Sequence, residues 1–200
     1  PKQQLLPWYF FPVMTPESKH PIVNNLNSIK GQFVSSVDAI NAKGVQTTVL
    51  LTTSKYSRII PAPARVSLGI MQYKPDPKMF PVSHVPVAVL MEGTFTSLYK
   101  NRIPPAIAES KEIAFKEQSV PNRMVVVGDG DIIRNDFQKG QPMALGYDKY
   151  TGVTYGNKSF LLNVIDYLCD DKNMMSIRNK EYRLRLIDPA VLEDDTKPLR

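Results

Sequence analysis

The sequence has little of the residue types that carry most covalent and metal chemistry. It contains a single cysteine, Cys169, and two histidines, His20 and His84, in 200 residues. One cysteine excludes an intramolecular disulfide and leaves no cysteine cluster for zinc. No GxSxG nucleophile elbow occurs. Each histidine stands in a proline-containing segment, so we interpret both as turn residues rather than catalytic bases.

Signatures of nucleotide chemistry and membrane insertion are also missing. Neither GxGxxG nor GxxxxGK[ST] occurs, so we expect no ATP hydrolysis by this chain. No apolar stretch approaches the roughly 18–20 residues that a transmembrane helix needs. The net charge is +6, yet no run of five like charges exists, and the basic excess is diffuse apart from a mildly basic first segment. Nucleic-acid-binding proteins usually carry a concentrated basic stripe, so we predict no nucleic-acid partner.

Proline, by contrast, is abundant and shapes the predicted secondary structure. Seventeen prolines punctuate the chain, so long helices are not expected before the last quarter of it. An amphipathic helix is predicted from Lys158 to Asp170, with Asn157 as its N-cap. Weaker helices are predicted over residues 107–117 and 129–139. Aromatic, β-branched or apolar runs predict five strands, namely Trp8–Phe11, Gln46–Thr52, Pro86–Met91, Arg123–Val127 and Tyr182–Ile187.

The order of these elements predicts an α/β fold. The runs Pro86–Met91 and Arg123–Val127 are apolar almost throughout, which is typical of strands buried on both faces. We therefore predict a three-layer domain with a mostly parallel sheet. The sequence does not begin with Met, so we interpret it as a piece of a longer protein in which the first part of the sheet can be missing. We expect an α/β domain over residues 1–170 and a terminal strand with a juxtamembrane tail over residues 171–200.

One turn carries paired carboxylates. A buried strand leads into Gly128-Asp129-Gly130-Asp131, and the carboxyl ends of strands line the binding crevice in open α/β sheets. Two carboxylates there suit a hard cation such as Mg²⁺. The interpretation that we favour is structural, with the glycines permitting unusual backbone angles and the aspartates capping the next helix. We predict no metal and keep Asp129 and Asp131 as ligand-binding candidates.

A hydroxyl-rich strand end is a second candidate. Thr53, Ser54 and Ser57 follow the predicted strand Gln46–Thr52. Their hydroxyls suit a polar ligand or an anion, or they cap a turn by bonding to the local backbone, which is the interpretation that we favour. Cys169 falls at the end of the last predicted helix, where we interpret it as a packing residue rather than a nucleophile.

A Gly-rich stretch from Gly146 to Gly156 contains three tyrosines, Tyr147, Tyr150 and Tyr155. Exposed tyrosines on a loop can form an interface or a platform on which sugars stack. They can equally fold back over the core. Both interpretations stay open, and Tyr150 and Tyr155 are kept as ligand-binding candidates.

Six segments, taken in order, resemble one family. They are PWYFFP at 7–12, HPIV at 20–23, TTSKYS at 52–57, VAVLMEG at 87–93 with FTSLY at 95–99, VGDGD at 127–131 and GNKSFLLN at 156–163. Their content and order resemble the auxiliary, so-called substrate-binding, subunit of the gliding-motility ABC transporter, the G component of the Gld system. The resemblance covers nearly the whole chain.

The resemblance implies a soluble region outside the cytoplasmic membrane, in a protein held by flanking membrane-spanning helices. It implies a flavodoxin-related, glutamine-amidotransferase-like core without recognised catalytic residues, and it supplies no ligand-binding residues. The partners it implies are the transporter's membrane subunit and ATPase, other envelope proteins or a small ligand.

We therefore predict a non-catalytic binding or scaffold domain without a cofactor, facing the periplasm at the inner membrane and serving an ABC transporter in gliding motility or envelope transport. Two alternatives stay open. An envelope hydrolase of amidotransferase-like ancestry would need a serine or Cys169 beside a histidine. A carbohydrate or cell-wall binding module would use Tyr150 and Tyr155.

Overall fold

The structure, a computed structural model, describes Leu6 and residues 8–16 and 19–170. The predicted strand Tyr182–Ile187 and the predicted unit 171–200 lie outside the described residues. Within residues 6–170, apart from positions 7, 17 and 18, no helix combines the length and the hydropathy that crossing a bilayer requires. The strands are β1 (Val13–Met14), β2 (Ile29–Lys30), β3 (Val45–Thr52), β4 (Pro86–Gly93), β5 (Asn122–Val127), β6 (Phe137–Gln138) and β7 (Gln141–Pro142). The α-helices are α1 (Pro105–Ala108) and α2 (Asn157–Leu168), and 3₁₀ helices cover Leu68–Gln72, Pro77–Met79 and Gly130–Ile133.

The sheets are small and antiparallel. The largest has the order β3-β4-β5, with β4 in the centre and antiparallel to both neighbours. β1 pairs with β2 and β6 pairs with β7, also antiparallel. The predicted three-layer, mostly parallel, flavodoxin-related fold is therefore wrong, although three of its predicted strands correspond to β3, β4 and β5.

The apolar run that misled the fold prediction belongs to the central strand. Residues 87–90 of β4 are all buried. Glu92 of β4 accepts a hydrogen bond from Tyr167 of α2, so one face of the strand lies toward the helix. Val87, which alternation places on the opposite face, is covered by the residues on that side and is also buried. Burial on both faces makes a strand apolar whichever way its neighbours run, so the pattern reported burial rather than strand direction.

β5 is an edge strand rather than a strand buried on both faces. Met124 is exposed, and the residues at 125–127 are only half-buried. The core instead gathers around β3, β4, the segment that contains β1 and β2, and α2. Its buried hydrophobic side chains are those of Met14, Ile22, Val23, Ile29, Leu50, Leu51, Val87, Ala88, Leu90, Ile132 and Phe160.

The predicted strand Trp8–Phe11 is wrong, because residues 9–11 form a turn. The rings pack on one another instead of alternating across a sheet: Phe10 lies 5.3 Å from Trp8 and 5.6 Å from Phe33, and Phe11 lies 5.4 Å from Phe33, between ring centroids. Such tilted and edge-on contacts stabilise beyond the area that they bury. We call residues 8–11 with Phe33 the aromatic corner.

The helix α2 confirms the predicted element but not its details. It begins at Asn157, and Gly156 is its N-cap without a side-chain cap bond. The predicted cap role of Asn157 is therefore wrong. Phe160 and Asn163 face the core, whereas Ile165 and Leu168 of the predicted apolar stripe are exposed. The polar Asn163 takes the inner position because its side-chain amide donates to the carbonyl of Ile22, at 3.0 Å.

The two weaker predicted helices are single turns in the structure. α1 covers Pro105–Ala108 and overlaps the predicted 107–117 only at its first two residues. Within the predicted 129–139, a 3₁₀ turn covers Gly130–Ile133, and β6 follows at Phe137–Gln138. One long connection, residues 53–85 between β3 and β4, projects from the sheet, and we call it the arm. Every residue from 58 to 68 in the arm is exposed.

A candidate binding groove

An open groove of about 530 Å³ lies between the aromatic corner and the arm. Val85 and Val87 form its floor, on the face of the sheet opposite α2. The two walls carry mainly aromatic and aliphatic side chains, among them Tyr9, Phe10, Phe33, Ile59, Ile60 and Phe80. Its volume lies in the range of small-molecule sites, which are mostly apolar with a few polar groups.

The arm is held at its base by the polar residues that the sequence singled out. Thr53 Oγ1 accepts from the backbone N–H of Val85 at 3.0 Å and from the Ser57 hydroxyl at 2.7 Å. A bridge between Ser57 and Val82 closes the base. The Ser54 hydroxyl donates to the Tyr56 carbonyl and accepts from the Tyr56 N–H. The capped-turn interpretation is therefore confirmed for these three residues.

Thr53 and Ser57 nevertheless line the groove, whereas Ser54 is exposed beside it. Their hydroxyls are engaged in the turn, so they present a polar rim that is already hydrogen-bonded. Arg58 is the charged residue among the described groove residues. Apolar surface with one cation at its edge is suited to a ligand with an apolar body and an anionic end.

The aspartates lie elsewhere. Asp129 is buried, and its two carboxylate oxygens accept from the backbone N–H groups of Gln32 and Asp131, each at 2.8 Å. Asp129 therefore caps the 3₁₀ turn, as predicted, while Asp131 pairs with Arg134 at 2.9 Å. Among the residues that the structure describes, no three His, Cys, Asp or Glu side chains gather as a metal site would require.

The glycines of this turn have a different role from the predicted one. Neither Gly128 nor Gly130 has a positive φ. Gly128 instead lies directly against the backbone of Ser35, whose N–H donates to the Gly128 carbonyl at 2.8 Å. A side chain at 128 would meet the Ser35 carbonyl oxygen, whereas a side chain at 130 would meet nothing within 4 Å.

A buried polar network that the sequence did not reveal joins β2 to α2. The Asn157 side chain accepts from the Lys30 N–H at 3.1 Å and donates to the carbonyls of Lys30 and Ile132 at 2.8 and 3.2 Å. Lys30 Nζ lies 3.4 Å from Asp148 Oδ2, with both side chains only 10–12% exposed. No spacing in the sequence relates residues 30, 148 and 157, so only the fold could reveal this contact.

The network sets the ionisation of Asp148. Burial alone would raise the pKa of its carboxyl group, but the hydrogen bond from the Tyr150 N–H and the positive charge of Lys30 outweigh burial, and the pKa is lowered. Lys30 and Asn157 of this network border a cavity of about 20 Å³, which is room for a single water molecule rather than a ligand.

A second titratable cluster fastens the end of α2 to the sheet. The Tyr167 hydroxyl donates to Glu92 at 2.8 Å, and Arg123 Nε lies 3.3 Å from the same carboxylate oxygen. Burial, followed by the bond to Glu92, raises the pKa of Tyr167 to about 12. The His20 ring packs edge-on against Tyr167, and burial lowers the pKa of His20 although Glu92 opposes the shift.

The remaining candidates do not line the groove. Tyr150 is 68% exposed, with Lys149 Nζ 5.2 Å from the centre of its ring. Tyr155 is half-buried, and its N–H donates to the Gly146 carbonyl. Cys169 is exposed just beyond α2, so its predicted packing role is wrong. Whether Tyr150 and Tyr155 bind a carbohydrate stays a prediction.

The groove walls are the part of this site that sequence analysis missed. Ile59 and Ile60 stand among prolines and belong to neither a strand nor a helix, so no periodicity marked them as one side of a cleft. A signal was present in the pair of adjacent β-branched residues outside any predicted element.

Comparison with known proteins gives a match to a protein family. Residues 1–164 match the model of a family of auxiliary proteins described as "ABC-type uncharacterized transport system". The comparisons with curated proteins and with solved structures gave no match.

Proposed function

The chain belongs to this family of ABC-type transport auxiliaries, and from that premise we propose that it is a non-catalytic binding domain whose ligand site is the groove. The observation that carries the proposal is the groove itself, a cleft of about 530 Å³ with an apolar floor on a sheet face. Concave apolar surface with few polar groups is the usual form of a ligand site.

The chemistry of the groove favours binding over catalysis. The Ser54 and Ser57 hydroxyls hydrogen-bond to Tyr56, to Thr53 and to the Ser54 carbonyl. His20 Nδ1 accepts from the Ile22 N–H, away from the groove. A serine nucleophile needs a base within hydrogen-bonding reach. The proposal therefore assigns the groove no nucleophile.

The finer parts of the proposal come from the family resemblance. We propose that the domain faces the periplasm, that segments outside this sequence anchor it in the inner membrane, and that it serves gliding motility or envelope transport. Its proposed partners are the membrane subunit and the ATPase of an ABC transporter.

Co-purification tests the transporter association. The full-length protein is isolated from its native membrane in mild detergent, and the co-purifying proteins are identified by mass spectrometry. Recovery of an ABC ATPase together with a membrane subunit is the expected result. Clean recovery of the protein without any ABC component would overturn the proposed association.

A further inference from the structure

The arm concentrates positive charge beside exposed apolar surface. Its residues 53–85 contain five Lys or Arg and one Asp, a net charge of +4 out of +6 for the whole chain. These cations are Lys55, Arg58, Arg65, Lys74 and Lys78. Among the described residues none of the five takes part in an ion pair, a property that they share with exposed cations outside the arm such as Lys43 and Arg102.

Several apolar side chains of the arm are exposed. Leu68 is 71% and Tyr73 is 68% exposed, and Ile59, Ile60 and Val66 are each at least 42% exposed. Apolar and aromatic residues interleaved with Lys and Arg are typical of segments that lie in the headgroup region of a membrane. Unpaired basic residues there are attracted to anionic lipids.

The groove continues this surface inward. Ile59 and Ile60 belong both to the exposed arm and to the groove wall, and Arg58 lies next to them. Resting on the proposed function, we propose that the ligand of the groove is an anionic phospholipid of a bilayer surface, with an acyl chain against Val85 and Val87 and its headgroup beside Arg58.

The hydrogen bonding of the groove favours a lipid over an acidic peptide. An extended peptide needs donors and acceptors for its own backbone, and strand addition is the usual way to supply them. Three backbone donors along the groove are already engaged: the N–H of Thr53 donates to Val85, that of Phe33 to Phe10, and that of Ser35 to Gly128, at 2.7–2.9 Å. An acyl chain needs no such partners.

Vesicle binding tests the proposal. The chain is sedimented with vesicles of phosphatidylcholine alone and with vesicles of phosphatidylcholine and phosphatidylglycerol in equal parts. We expect binding to the mixed vesicles that weakens as salt rises, and little binding to phosphatidylcholine. Absence of binding to both, or equal binding to both, overturns the proposal.

Matched variants locate the surface. The double variant Arg58→Gln with Arg65→Gln should lower the partition coefficient about fivefold for each charge removed. The control Arg102→Gln with Lys111→Gln removes two exposed cations outside the arm, and it should bind like the parent chain. Equal losses in the two double variants would place the binding surface elsewhere and overturn the assignment.

The acyl chain is tested separately. Ile59→Ser with Ile60→Ser should weaken binding, while Leu98→Ser, at a side chain that is 83% exposed outside the arm, should not. Trp8 is the single tryptophan, and it packs at 5.3 Å on Phe10 of the groove wall. Lipids brominated in the acyl chain should therefore quench Trp8 fluorescence, and binding without quenching overturns the placement of the chain in the groove.

The two proposals fail in different ways. Recovery of ABC components without vesicle binding leaves the transporter association intact and overturns the lipid ligand. If an acidic amphipathic peptide quenches the fluorescence of Trp8 and vesicles do not, the ligand is a protein partner. That result likewise overturns the lipid ligand.

Discussion

Gly128 and Gly130 lie two positions apart in one turn, and they differ in whether the structure leaves room for a side chain. Gly128 lies against the Ser35 carbonyl, whereas nothing lies within 4 Å of a side chain at 130. We expect Gly128→Ala to lower the free energy of unfolding by about 1–3 kcal/mol, because a backbone atom cannot move aside as a flexible side chain can. Gly130→Ala should change it by less than about 0.5 kcal/mol.

Urea denaturation of both variants measures the difference. Similar midpoints for the two variants would show that the Ser35 segment yields to the added methyl group. The comparison is internal, because both substitutions add the same atom to the same turn.

A substitution at Asn157 distinguishes two roles, that of a helix N-cap and that of a buried amide that bridges Lys30 and Ile132. An N-cap tolerates Asp as well as Asn. The bridging role instead needs the amide group, which donates to the carbonyls of Lys30 and Ile132. Asn157→Asp should therefore destabilise the fold by at least about 1–3 kcal/mol, because it removes both donors and brings a carboxylate toward two carbonyl oxygens. Lys158→Ala, one exposed position further on, is the control, and urea denaturation measures both variants. If Asn157→Asp were as stable as the parent chain, the two hydrogen bonds that the amide donates would contribute nothing measurable to stability.

At the scale of elements, the sequence predicts best where an apolar run or an amphipathic spacing marks the element. The runs that became β3, β4 and β5 and the helix α2 were identified as elements, because apolar runs and amphipathic spacing indicate regular secondary structure. Burial followed the pattern in β4 but not in β5 or at Ile165 and Leu168 of α2. Strand direction was missed, since β4 is buried on both faces of an antiparallel sheet. The aromatic corner was taken for a strand because the preference of Trp, Tyr and Phe for strands comes from packing, and here the rings pack on one another.

The candidate site was less predictable than the individual strands and the helix α2. Thr53 and Ser57 were identified from their hydroxyls, but the walls that make the groove come from residues 9–10, 33 and 59–60, which are far apart in the chain. These residues line one groove only because the arm folds back toward the aromatic corner. Asp129 and Asp131, which looked alike, separate into a buried cap and a half-exposed ion pair.

β3 contains two hydroxyls that are buried without a hydrogen-bond partner among the described residues, Thr47 Oγ1 and Thr52 Oγ1. A buried hydroxyl without a partner costs about 1–3 kcal/mol. Replacing either threonine with valine keeps the β-branched shape and removes the unpaired group, so Thr47→Val and Thr52→Val should each raise the melting temperature.

Thr53→Val is the matched control, because the Thr53 hydroxyl bonds to Val85 and Ser57. That substitution should lower the melting temperature. If all three variants shifted it in the same direction, the side-chain volume rather than the hydroxyl bonding would govern this strand.

At the scale of the whole molecule, the pair Lys30–Asp148 predicts how stability changes with acid. The pKa of Asp148 is lowered in the folded state, while an unfolded Asp titrates near about 3.9. Its contribution is therefore complete above that unfolded value and is lost as the pH falls through the lower folded value. Asp148→Asn should flatten the pH dependence of the unfolding free energy in that acidic interval.

The same variant should be less stable at neutral pH, because it leaves the Lys30 ammonium group buried opposite an uncharged amide. Denaturation curves from pH 7 down to pH 2 measure both effects. An unchanged slope in acid would mean that other carboxylates control the acid transition.

The closed base of the arm has a consequence for how this protein can diverge. Because Thr53 bonds to Val85 and Ser57 to Val82, the two ends of the arm are joined before the chain leaves the sheet. Residues between these bonds can be lengthened, shortened or exchanged at little cost to the pairing of β3 with β4. The arm's share of the groove can therefore change while the pairing of β3 with β4 is kept.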